Sequence, residues 1–277
     1  MYTLNRTLKL GDSGPAVFAL HGFLSELGYL QPNILHAHLP ITQLAEFDEV
    51  RAYLSSLPKP ASPGKYDEET AKAVRSFQKN YNLPGDGTLD EVTLEEMRRP
   101  RCRVPDVPGV TFFPSFRDAD IRSNPVCAWD SRELSWHVAE APNVDPATFK
   151  AAFVEMVNKW AQLARLTLRE GGIGSNLQAF KYSGDGSGGV YAYAYFPCSG
   201  RVSGDQYYDA NDAWSLANAT PANKADLKTI LLHELGHALG LGHTGVAAAV
   251  MYPTLAFGDQ KREPTADDRT GITQLYG

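Results

Sequence analysis

His233-Glu234-Leu235-Gly236-His237-Ala238-Leu239-Gly240-Leu241-Gly242-His243 is the stretch from which the rest of the chain is read. Residues four apart on a helix share a face, so His233 and His237 project side by side, close enough to hold one ion. Glu234 lies beside them and reaches a water on that ion without binding the ion itself. Gly240 predicts the end of the helix, because glycine enters the left-handed region at little cost. The chain then turns, and His243 returns as a third ligand. Three neutral imidazoles leave a fourth position for water, the layout of a catalytic zinc site rather than a structural one. Zinc lowers the pKa of such a water to ~7. Glu234, as general base, would take its proton during attack on a peptide carbonyl and pass it to the leaving amine, while the ion stabilises the oxyanion. A helix of satisfied core histidines is the bland alternative. Five fixed positions in eleven residues, three of them the rare histidine, argue against it.

The bulk properties bound the rest. A chain of 277 residues fits two domains better than one, and 43% hydrophobic with 21% charged residues is ordinary globular composition. The net charge of −6, without a long basic run, excludes a dedicated nucleic-acid partner. No apolar run is long enough to span a membrane. The start, MYTLNRTLKLGDSG, has no apolar stretch or small-residue cleavage site of a secretory signal. A monomer is expected. Three cysteines, Cys102, Cys127 and Cys198, leave at least one thiol outside any intrachain bridge.

Residues 1–99 read as a small helical domain. Val17, Leu20, Leu24 and Leu27 carry helical spacing within Gly14–Leu30, with Ser13 as N-cap. A helix near Leu44–Leu54 is followed by Asp67–Tyr81 with Ala71, Val74 and Phe77 on one face, the turn Pro84-Gly85-Asp86-Gly87, and Asp90–Arg99. Residues 100–118, with Pro100, Pro105, Pro108 and Pro114, read as an extended linker open to proteolysis. Residues 119–277 read as an α+β domain: strands at Glu133–Ala139, Leu177–Tyr182 and Val190–Phe196, and helices at Pro146–Leu166, Leu227–Leu239 and Thr265–Leu275.

Several motifs carry a family resemblance. The extended histidine motif, with Val250-Met251-Tyr252-Pro253 eight residues on, resembles the metzincin clan and its methionine turn at Met251. Pro100-Arg101-Cys102-Arg103-Val104-Pro105-Asp106 resembles the cysteine switch of matrix metalloproteinases; Gly189–Ala194 resembles their substrate-pairing edge strand, and Thr265–Gly277 their closing helix. Leu10–Gly14, Leu27–Leu30, Phe77-Gln78 and Leu83–Gly87 resemble the peptidoglycan-binding-like fold, which also forms the propeptide of that family.

The resemblance implies a metzincin domain with a mixed, mostly parallel sheet and long helices, made as a latent zymogen. The Cys102 thiolate would occupy the place of the water, and Arg101 and Asp106 would pair to hold the loop. Arg103 departs from the usual glycine. Cleavage within 106–120, by an activating protease or by the protein itself, would release activity, with Asp268 receiving the new N-terminus. Cys127 and Cys198 are then left to bridge. Ala192 and Ala194 would offer backbone to a protein or peptide substrate. A calcium site is implied at Asp185, Gly186, Gly188, Val190, Asp209 and Asp212. The family's structural zinc is not expected, because Tyr193 and Tyr207 stand at its histidine positions and His137 is the one further histidine in this half. A secreted or cell-wall-associated location follows, and the alternative reading is a cell-wall peptidase anchored to peptidoglycan by residues 1–99.

Overall fold

The computed structural model describes residues 4–31, 57–107, 126–184 and 186–277. The expected helix near Leu44–Leu54, most of the cleavage window 106–120 and Asp185 lie outside the described residues. The chain forms two compact units. The first holds the described residues up to Arg98 together with 105–107; the second holds 99–104 and 126–277. The stretch read as a free linker is therefore divided between them.

In the first unit, α1 (Pro15–Glu26), α2 (Glu68–Asn80) and α3 (Glu91–Arg98) follow the periodic segments. The residue ahead of α1 is Gly14 (φ 115°), not Ser13, which instead bridges to Lys65. Asp67 caps α2 by accepting from the Thr70 amide at 2.9 Å. Glu68 and Glu69 in its first turn and Lys79 in its last complement the helix dipole. Phe77 is fully buried, edge-on to Tyr29 and stacked on Tyr81. The buried Gln78 amide anchors the following turn: it accepts from Gly87 N (2.9 Å) and donates to Thr88 O (2.9 Å). Asp106 is buried and accepts from the hydroxyls of Tyr29 (3.0 Å) and Tyr81 (2.8 Å).

The second unit is built on β1 (Arg101–Cys102), β2 (Glu133–Val138), α4 (Pro146–Ala164), β3 (Thr167–Glu170), β4 (Leu177–Tyr182), β5 (Val190–Ala194), β6 (Asp205–Asp209), the short pair β7 (Trp214–Ser215) and β8 (Ala225–Asp226), α5 (Leu227–Ala238) and α6 (Ala266–Tyr276). Six strands form one sheet in the order β1-β5-β6-β4-β2-β3. Every pairing in it is parallel except β5 with β6. The fold is α+β with a mixed, mostly parallel sheet. Capped by Asp145 and started by Pro146, α4 buries Phe149, Phe153, Met156, Val157 and Trp160. The Trp160 indole donates to Leu232 O at 2.7 Å and so ties α4 to the histidine-bearing α5.

Asp226 caps α5 through the Thr229 amide (2.8 Å). The helix ends where the motif predicts, with Gly240 at φ 103°. A Cβ there would run into the Cys127 carbonyl oxygen. Gly240→Ala therefore combines a left-handed backbone with a backbone clash, and should cost of order 2–4 kcal/mol. A melting temperature unchanged by this substitution would refute the argument. Cys127 and Cys198 are bridged, with Cα atoms 6.2 Å apart and a sequence separation of 71. A loop of that length loses enough unfolded-state entropy to stabilise by about 4 kcal/mol. Replacing both cysteines by alanine should lower the denaturation midpoint accordingly.

Candidate metal centre

The ε nitrogens of His233, His237 and His243 converge. His237 lies 3.1 Å from His233 and 3.2 Å from His243, and His233 lies 3.2 Å from His243. The Cys102 sulfur sits 3.6 Å from His237 Nε2. All four ligand atoms lie within 4.8 Å of one another, and all four residues are buried. A tetrahedral ion with Zn–N near 2.05 Å and Zn–S near 2.3 Å would set N···N edges of about 3.3 Å and N···S edges of about 3.6 Å. The donor set fits such an ion. Lone pairs this close, buried together, are otherwise repulsive.

The ring orientations follow from backbone acceptors. Nδ1–H of His233 donates to Val250 O (2.7 Å) and that of His237 to Leu241 O (2.6 Å), which leaves each Nε2 lone pair facing the centre. Burial and the neighbouring imidazoles hold both rings well below the usual histidine range, in the neutral form that binds metal. Burial pushes the Glu234 carboxyl up to about 8, with the Cys102 thiol pulling the other way. Neither Glu234 oxygen has a hydrogen-bond partner among the described residues. Burial, and then the Glu234 charge, push the Cys102 thiol well up, so a thiolate there needs a cation beside it.

Met251 packs directly beneath. Its sulfur leaves no room for a Cβ on Gly236, the glycine inside the histidine motif. Asp268 holds this turn from below. Its carboxylate accepts from Val250 N (3.0 Å), Met251 N (3.1 Å), Thr265 N (2.7 Å) and Thr265 Oγ1 (2.8 Å). Four donors on a fully buried carboxylate make Asp268 a brace for the methionine turn and for the start of α6.

Residues 101–103 lie along β5. Arg101 N donates to Gly189 O (3.0 Å) and Arg103 N to Ala192 O (3.1 Å), so β1 runs parallel to β5. On the other side Cys102 N donates to Pro253 O (3.0 Å) and Leu255 N to Pro100 O (3.1 Å). The Ala192 carbonyl is thus taken by Arg103 of the same chain, while Ala194 pairs with Gln206 of β6. Arg101 is buried in the second unit, where its Nε donates to Cys102 O at 3.2 Å. Asp106 belongs to the first unit.

The acidic loop residues also gather. Asp209 Oδ1 accepts from Gly184 N (3.0 Å) and Asn211 N (2.8 Å), while its buried Oδ2 has no hydrogen-bond partner among the described residues. Gly188 N donates to Asp212 Oδ1 (2.9 Å), and the Val190 carbonyl accepts from the Tyr182 hydroxyl (2.9 Å). Gly186 and Gly188 take left-handed φ values of 93° and 89°. Tyr193 and Tyr207 stack at 5.0 Å, and Phe180 extends the stack at 5.2 Å from Tyr207. Sequence reasoning missed the carbonyls of Val250 and Leu241, the Pro253 contact and the bracing role of Asp268, all of which depend on where loops return in space.

Fold and site together define an α+β protein with a buried candidate metal centre of three histidines and one cysteine. Residues 128–277 match the family model for matrixin, and residues 13–97 match that for a peptidoglycan binding domain. The chain belongs to the matrixin family. It is similar to human Matrix metalloproteinase-17 (33% identity over 225 residues, 76% of this chain and 36% of that protein). Mouse Matrix metalloproteinase-25 is 31% identical over 275 residues, covering 92% of this chain and 40% of the relative. Metalloendoproteinase 1 of Glycine max is 30% identical over 231 residues, covering 76% and 74%. The chain thus spans well under half the length of the first two relatives. No helix among the described residues is long and apolar enough to cross a membrane.

Proposed function

We propose that the chain is a zinc-dependent endopeptidase held latent by its own Cys102. The observation that carries this reading is the convergence of three Nε2 atoms, 3.1–3.2 Å apart, with the Cys102 sulfur 3.6 Å from one of them, all buried. His233, His237 and His243 would hold the ion, and Cys102 would fill the fourth place. Bound there, zinc supplies Lewis acidity, which acidifies water and polarises a peptide carbonyl. Glu234, unpartnered and adjacent, takes the proton from the attacking water and delivers it to the leaving amine. The peptide lies along β5 in the place of residues 101–103, held by main-chain bonds such as that to Ala192 O. Activation is withdrawal of residues 99–104 after cleavage in the segment that follows.

Calcium at the loop of Asp185, Gly186, Gly188, Val190, Asp209 and Asp212 is proposed on the strength of the unpartnered Asp209 oxygen. A location outside the cell or at a cell wall agrees with the disulfide, which persists in oxidising surroundings. The match of residues 13–97 favours a second reading, in which the first unit holds the enzyme on peptidoglycan. Sedimentation of the full chain with purified peptidoglycan separates the two readings.

Casein hydrolysis tests the main proposal. The full chain should be silent and the proteolytically trimmed chain active, and a chelator should abolish that activity until zinc is restored. Trimmed activity indifferent to chelator would contradict it.

A further inference from the structure

In the first unit, His21 of α1 is buried between the turn 61–66 and the start of α2. The Gly64 amide reaches its Nδ1 at 3.4 Å, and its Nε2 lies 2.8 Å from Thr70 Oγ1. The partners fix the tautomer. An amide N–H can only donate, so Nδ1 accepts and the ring proton sits on Nε2, donating to Thr70. The Thr70 hydroxyl then donates onward to Asp67 Oδ1 at 3.0 Å. A second ring proton, on Nδ1, would point straight at the Gly64 N–H. Gly64 is held in place: its carbonyl accepts from Gly14 N (2.9 Å) and its φ is 74°. Tyr66 beside it is laced to the same strand of chain, through Gly11 N to Tyr66 O (2.9 Å) and Tyr66 N to Asp12 O (2.8 Å). Asp67, at the cap of α2, is the one charge among the described residues that reaches the ring; burial outweighs it and holds His21 below the usual histidine range. The other titratable groups of these elements are turned elsewhere. Lys72 pairs with Glu69 and Arg75 with Glu68 at the surface, and Lys65 and Glu26 are exposed. Asp12 accepts from Lys9 N (2.9 Å), and Tyr66 donates to Gly87 O (2.7 Å).

We infer that His21 is an acid sensor built into the first unit: as the pH falls from about 7 to 5, a proton on Nδ1 turns the Gly64 contact repulsive and loosens α1 from the 61–66 turn. The chain just beyond the cysteine segment is tied to the far end of α1. Val107 N donates to Leu27 O (3.2 Å), and Asp106 accepts from the Tyr29 hydroxyl (3.0 Å). Loosening α1 weakens that tie. The sign follows from proton linkage. A ring that the fold keeps neutral contributes stability that is complete above the unfolded value of about 6.5, and that is lost as the pH falls below it. Asp67 does not titrate in this window: burial raises its carboxyl, but hydrogen bonds from the Thr70 and Ala61 amides and the Thr70 hydroxyl outweigh burial and hold it below the usual range. The inference rests on the latency proposed above and names its trigger, since mild acid then speeds the cleavage that ends it.

The test compares the full chain with His21→Gln and His21→Leu. Glutamine keeps one acceptor and one donor but does not titrate, and leucine removes the ring together with both bonds. Amide hydrogen exchange of α1 and α2 is followed from pH 7.5 to 5, each rate divided by the intrinsic rate at that pH. Trimming by one added protease is timed at both ends of the range, and casein cleavage is assayed at pH 7.5 after trimming. In the wild type, opening of α1 should rise at least about threefold between pH 7.5 and 5, and neither variant should show that rise. At pH 5 the wild type should be trimmed at least about threefold faster than His21→Gln, and at pH 7.5 the two should be trimmed alike. Wild-type protection that is flat across the range, or an equal acid loss in both variants, would overturn the sensor while leaving the peptidase reading intact. Acid-dependent opening that depends on His21, in a chain that cleaves no casein once trimmed, would uphold the sensor and overturn the peptidase reading.

Discussion

Replacing Glu234 by glutamine or alanine should lower kcat of the trimmed protein by about 10²–10⁴-fold, with metal content unchanged. The magnitude follows from the work assigned to one carboxylate: it removes a proton from the attacking water and returns it to the leaving amine. The residue ligates nothing, so the three imidazoles should still hold their ion. Stability should not fall with activity. Both Glu234 oxygens are buried without a hydrogen-bond partner among the described residues, an arrangement that costs free energy in the resting protein. A Glu234→Gln protein that melts no lower than wild type yet turns over poorly would show that the carboxylate is kept for chemistry at the expense of stability. Turnover near wild-type levels in both variants would remove Glu234 from the mechanism.

Cys102→Ala should make the uncut chain active, though less so than the trimmed chain. Removing the sulfur opens the fourth position, yet residues 100–103 still hold four main-chain hydrogen bonds to β5 and to the 253–255 segment. Each such bond contributes about 0.5–1.5 kcal/mol net, so a peptide must displace a strand of moderate strength. The expected signature is a kcat close to that of the trimmed protein with a raised KM. Trimming the variant should then lower KM and leave kcat unchanged. If the variant stays silent until cut, the thiol is not what blocks the site.

How much of this was legible in the chain depended on the range of the interactions involved. The helix bearing His233 and His237, its stop at Gly240 and the return of His243 are local, so spacing and one glycine suffice to read them. The same holds for α4, whose apolar face repeats over five turns. Arg101–Cys102 was read as linker because Pro100 and Pro105 flank it. Its strand character comes from β5 on one side and Pro253–Leu255 on the other, partners about 90 and 150 positions away. Thr167–Glu170 was missed for a different reason: three of its four residues are exposed, so no apolar alternation marks it. Asp268 shows the limit for single residues. Its bracing of the methionine turn depends on the return of Val250 and Met251 above it, which local sequence does not show.

The most direct measurement is X-ray absorption at the zinc edge on the purified full chain, alongside its metal stoichiometry. One zinc per chain is predicted, with three nitrogen neighbours at about 2.0–2.1 Å and one sulfur at about 2.3 Å, the sulfur being lost on trimming. A chain without zinc, or a zinc shell lacking sulfur in the uncut protein, would contradict a latent centre closed by Cys102.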